Sequence, residues 1–233
     1  MIFLLAAASA VSAQEVPKHL ELARRLVDTV KPENNHYVYR GTQGVRLAGD
    51  LFTSEDTINT MCSAFVTAMF ERTKHPAIDK IKWGGEWVNG YLRVSSFATA
   101  IEQGRGLDKV THLKDVVPGD LFVFSCIEAC ASKEGAALGH VGFFDAIPEK
   151  LDEPQEPLVP GTIQWKVAIV DVVDLPWTRM DTRYMQAGPK GQGVGRGVFR
   201  IYTDEHGSPV GYKAGGPYWP NSKRSILLGH PQN

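Results

Sequence analysis

Asn59-Thr60-Met61-Cys62-Ser63-Ala64-Phe65-Val66 sets one cysteine in what reads as the first turn of an apolar helix. Asn59 or Thr60 is available as the N-cap, and Met61, Phe65, Val66 and Met69 are available to face a core. At such a position, unpaired backbone N–H groups and the positive end of the helix dipole favour a thiolate over a thiol. A cysteine there can act as a nucleophile near neutral pH. The same pattern also suits a buried cysteine on an amphipathic helix. What separates the two readings is whether the rest of the chain supplies a base, an orienting group and an oxyanion donor.

Upstream of this helix, residues 17–30 have helical spacing, with Leu22, Leu26 and Val30 on one face and Pro17 at the start. Residues 35–41 are β-prone and end in glycine, and residues 41–56 read as a loop leading into the cysteine helix. Downstream, Trp83-Gly84-Gly85-Glu86-Trp87 reads as a surface loop pinned by aromatics, and residues 95–104 as a short helix closed by glycine. Strands follow at 109–113 and 121–125, joined by the turn Val117-Pro118-Gly119-Asp120. Residues 139–144 form another strand, in which Gly142 signals the close approach of another group. A proline-rich and acidic excursion over 147–160 precedes a strand at 164–172.

Beyond that strand, Asp181 and Arg183 read as a structural ion pair. Gly191, Gly193, Gly195 and Gly197 read as a mobile loop or hairpin entry before a hairpin over 198–212. Their spacing does not match a dinucleotide-binding fingerprint, and a strand rather than a helix follows. The order of elements predicts an α+β fold, with helices packed on a mostly antiparallel β-sheet. A chain of 233 residues that is 43% hydrophobic supports one sizeable core. The expected organisation is a single domain over 14–233, with an additional C-terminal β extension from about residue 175.

With 25 basic and 26 acidic residues, the chain lacks the electrostatic footprint of a nucleic-acid or anionic-membrane binder. Residues 2–11 are apolar, and Val11-Ser12-Ala13 before Gln14-Glu15 has the small-x-small pattern of a signal peptidase site. Cleavage after Ala13 is expected, giving a periplasmic or secreted protein whose mature chain has no transmembrane segment. In an oxidising compartment Cys126 and Cys130 read as a local disulfide, which leaves Cys62 as the odd thiol. A metal site of Cys126, Cys130 and His140 is the rival reading, and it lacks a fourth ligand in the sequence. No metal and no other cofactor is therefore expected.

Of seven histidines, His140 opens a short strand between glycines, where its ring can reach the start of a packed helix. His19, His75, His206 and His230 fall in polar or terminal segments, and His112 has no companion. Taken in order, Tyr37-Val38-Tyr39, Cys62-Ser63, Pro118-Gly119-Asp120-Leu121 and Gly139-His140-Val141-Gly142 resemble the NlpC-type family of papain-like cysteine peptidases and amidases, cell-wall enzymes related to the CHAP amidases. The resemblance spans roughly residues 35–172.

That resemblance implies a papain-like, NlpC-type fold and an amide or peptide hydrolase whose substrate lies in peptidoglycan stem peptides. It assigns Cys62 as nucleophile and His140 as general base, and it gives the Tyr37 hydroxyl a share in the oxyanion site. The orienting residue of the family lies on the strand after the histidine strand, where Asp171 is the best match. Asp145 lies an odd number of residues from His140 and in a regular strand points to the opposite face, so Asp171 ranks above it and above Asp174. The family commonly has Asp-Cys-Ser-Gly where this chain has Met61-Cys62-Ser63-Ala64, and its intervals are shorter. A non-catalytic module that binds wall fragments or a protein partner on the same scaffold is the alternative.

Overall fold

The computed structural model describes residues 15–38, 44–46, 56–88, 90–126 and 139–233. The expected signal segment and the Cys126–Cys130 disulfide lie outside what is described. The fold is α+β, with five helices and a mostly antiparallel sheet among the described residues. The helices are α1 (Lys18–Thr29), α2 (Cys62–Arg72), α3 (Ala77–Lys82), α4 (Val94–Gln103) and α5 (Thr182–Ala187). Helix α4 ends where Gly104 takes φ 64°, a left-handed conformation that suits glycine.

Three short strands, β1 (Asn35–Tyr37), β2 (Gly44–Arg46) and β3 (Thr57–Thr60), form a small sheet in the order β1-β3-β2. Here the structure corrects two expectations. Part of the expected loop over 41–56 is strand β2, and Asn59 and Thr60 belong to β3 rather than capping the helix. Met61 is the N-cap, and no side chain caps it. Ladder bonding along β3 holds Asn59 and Thr60 extended up to the first helical residue, so Cys62 follows a rigid strand. A separate hairpin joins β4 (Trp87–Val88) to β5 (Tyr91–Leu92).

The main sheet contains β6 (Leu107–Val110), β7 (Leu121–Cys126), β8 (Gly139–Phe144), β9 (Glu149–Lys150), β10 (Ile163–Val173), β11 (Gly193–Thr203), β12 (Pro209–Lys213), β13 (Tyr218–Pro220) and β14 (Arg224–Pro231). Its order is β13-β12-β11-β10-β8-β7-β14-β6, with β9 on β10. The segment expected as a C-terminal extension therefore supplies strands of this same sheet, and β14 lies between β7 and β6. The alternating glycines are corrected from a loop to strand: Gly193, Gly195 and Gly197 pair with Val173, Asp171 and Ile169 of β10.

The two faces of the sheet bury two cores. Leu121, Val123, Val141, Phe143, Val170 and Val172 pack with helices α1 to α4. Phe122, Phe124, Phe144, Val167, Ile169, Phe199 and Ile226 form the second core. This period-two alternation fixes register, because a slip of one residue would exchange the two sets. Among the described residues no helix is long and apolar enough to cross a membrane.

Candidate active site

Strand β1 runs parallel to β3 with Tyr37 opposite Thr60, and the Val38 N–H donates to the Thr60 carbonyl at 3.0 Å. Tyr37 is thereby fixed beside the start of α2, two residues before Cys62. Cys62 is a free cysteine, only 3% exposed. It is the first residue of α2, whose opening hydrogen bond runs from the Phe65 N–H to the Met61 carbonyl at 2.9 Å. The first-turn N–H groups point out of the helix at the sulfur end, with the positive end of the dipole.

His140 sits on β8 across from Phe124 of β7. Its Nε2 lies 2.7 Å from Asp171 Oδ2, and Cys62 is near enough to act on the ring electrostatically. With Nε2 engaged by the carboxylate, Nδ1 is the nitrogen left for the sulfur. Burial by itself would lower the His140 pKa. The negative charge of a Cys62 thiolate and the Asp171 carboxylate outweigh burial and push the pKa up to about 9. Such a balance describes an imidazolium held against a buried carboxylate.

Asp171, fully buried on β10, is reached by extending the β8–β10 register, which sets Gly142 opposite it. A Cβ at Gly142 would lie 2.8 Å from both the Asp171 Cβ and the Phe122 ring. The glycine thus creates the space that brings the carboxylate diagonally onto the His140 row. Trp177 donates its indole N–H to Asp171 Oδ2 at 2.7 Å and packs its ring edgewise on His140, with centroids 5.3 Å apart.

On the other side of the carboxylate lies Arg183, 1% exposed. Its Nη2 stands 2.9 Å from Asp171 Oδ1 as an ion pair, off the direction of a hydrogen bond. Nε and Nη2 donate to the two oxygens of Asp181 at 2.8 and 2.7 Å, and Nη1 donates to the carbonyls of Asp171 and Gly193. Burial pushes the Asp171 carboxyl up, but Arg183 beside it and the bonds from His140 and Trp177 hold it below the usual carboxylate range. It stays charged, as an orienting group for an imidazolium must.

The sequence-predicted residues therefore divide. Cys62, His140 and Asp171 come together, and Tyr37 shares with His140 a cavity of about 190 Å³. Asp145 points away, where Arg24 Nε donates to it at 2.7 Å and Arg196 approaches at 3.5 Å. Asp174 is exposed and lines the cavity without touching the histidine's partners. Arg183 and Trp177 were not expected here. Their signature is the glycine alternation: a Cβ at Gly195 would meet Arg183 Nε at 2.6 Å, and one at Gly197 would meet Trp177 Cδ1 at 2.6 Å.

Among the described residues no group of histidine, cysteine, aspartate and glutamate is spaced to hold a metal ion. No protein-family model matches the chain, and no curated protein is detectably similar to it in sequence.

Proposed function

We propose that the chain is an exported thiol hydrolase of papain-like type that cleaves an amide through a Cys62-His140-Asp171 acyl-enzyme mechanism. The observation that carries this reading is the line of contacts from a helix-terminal thiol through one imidazole to a buried, permanently charged carboxylate. His140 takes the Cys62 proton, and the thiolate attacks the amide carbonyl. The Cys62 N–H and the Tyr37 hydroxyl stabilise the oxyanion. Collapse of the tetrahedral adduct breaks the C–N bond, and His140 passes its proton to the leaving amine. His140 then draws a proton from water as that water attacks the thioester and frees the acid. The sequence resemblance supports a peptide of the peptidoglycan stem as the substrate.

The alkylation rate of Cys62 against pH, read by peptide mass spectrometry in the wild type and in His140→Ala, tests the mechanism. Alkylation of Cys62 that stays fast at and below neutral pH is expected, with that reactivity lost in the variant. An inert Cys62, or one indifferent to His140, removes the hydrolase and leaves the binding module.

A further inference from the structure

Beside His140, the same cavity of about 190 Å³ reaches a second cation, Arg224 on β14. Its guanidinium carbon lies 4.0 Å over the Trp219 ring, and its positive charge acts on the neighbouring Tyr212 hydroxyl. Tyr212 is itself stacked on Phe124, with ring centroids 3.8 Å apart and planes 2° from parallel. The guanidinium is thus held rigidly at the end of an aromatic wall. Yet its Nε is buried and has no hydrogen-bond partner among the described residues, and none of the described carboxylates pairs with it. Asp174 lines the cavity but is exposed to solvent, which screens it.

Arg224 as a residue is half-buried, and among the described residues its buried Nε N–H has neither counterion nor acceptor, a cost that an anionic ligand would offset. A guanidinium presents planar, paired donors that match a carboxylate. The position also sets a distance. Arg224 pairs with Cys126 on β7, and Phe124 of β7 pairs with His140 on β8. The backbone positions of the two cations are therefore two strand spacings apart across the sheet and two residues apart along it, about 12 Å in all.

We infer that Arg224 is a specificity determinant that takes a free carboxylate on the substrate, several bonds from the scissile carbonyl, with the aromatic walls holding the spacer between them. The inference rests on the hydrolase reading and names the class of amide that hydrolase selects. Aromatic stacking alone would account for Arg224 as packing, so the test must read charge selection rather than stability.

The probes are N-iodoacetyl-4-aminobutyrate, whose flexible chain carries a carboxylate several bonds from the alkylating carbon, and its carboxamide. Their rates at Cys62 are compared at pH 7 in the wild type and in Arg224→Gln. The wild type should prefer the acid by about tenfold or more, the scale of one charge-assisted hydrogen bond, and the variant should lose that preference. The contribution of the His140 imidazolium is common to both proteins and cancels. Arg224→Met keeps an unbranched stem against Trp219 and gives the same readout should the glutamine variant fail to fold. A reactive Cys62 with the same acid-to-amide ratio in wild type and variant overturns the subsite alone. A Cys62 inert to both probes overturns the hydrolase reading and the subsite with it.

Discussion

At the scale of single residues, Gly142 and Arg183 decide whether Asp171 can serve His140. Gly142→Ala forces a methyl group against the Asp171 Cβ and the Phe122 ring, neither of which has free space to move into. The expected cost is about 1–3 kcal/mol, as for other overpacked cores, measured by urea denaturation. The displaced carboxylate should also slow alkylation of Cys62 at pH 7. Arg183→Met leaves Asp181 buried with no cation and Asp171 with His140 alone, which should cost roughly 3–5 kcal/mol in the same assay. Histidine 140 sets the alkaline limit. Because its pKa is raised to about 9, it keeps throughout the neutral range the proton that the proposed mechanism passes to a leaving amine. Turnover of an amide should therefore fall only as pH rises through about 9, and a profile falling near pH 6.5 instead would show that the ion pair does not form.

At the scale of elements, β14 is the test of how the sheet is built. Leu228 is 1% exposed, packs in the second core, and pairs with Phe122 on one side and Val110 on the other. Leu228→Ala should cost about 2–5 kcal/mol in urea denaturation, whereas a strand hanging from the sheet edge would tolerate it. The elements with strong periodicity were legible in the sequence: α1, α2, α4, β7, β8 and β10 all fall within a few residues of their expected places. Parity along β8 set Asp145 aside, whereas Asp171 was singled out through the family resemblance, and the structure places it 2.7 Å from His140. Strand β3 was not, because Thr57-Ile58-Asn59-Thr60 offers one apolar residue and no alternation to count. Strand β11 was misread because a glycine run has poor strand propensity. It is a strand because the buried Arg183 and the half-buried Trp177 occupy the volume where its side chains would stand. The pairing of β14 with β7 joins residues about a hundred positions apart, and no local pattern encodes it.

At the scale of the whole molecule, acid sensitivity should be governed away from the candidate active site. His19 on α1 is buried against Phe70, Phe143 and His75, and its Nε2 hydrogen-bonds the Gly119 carbonyl at 2.9 Å. Burial, opposed in part by that bond and reinforced by the charges of His75 and His230, lowers its pKa to about 4. Between pH 6.5 and 4 the unfolded chain binds this proton and the folded chain does not, so stability is lost as pH falls through that window. The loss should approach about 3 kcal/mol. Urea midpoints at pH 7 and pH 4.5 should differ less in His19→Gln, which keeps a donor toward Gly119 without a titrating ring.

The place of β14 also bears on time. Until residue 231 has been synthesised, β6 has no partner and β7 is paired only with β8, so the hairpin that carries His140 is flanked by an open edge. A sheet completed by its last strand closes late, since the loop entropy of so distant a pairing must be overcome first. The nascent chain therefore carries Cys62 long before β14 closes the sheet beside the hairpin that holds His140.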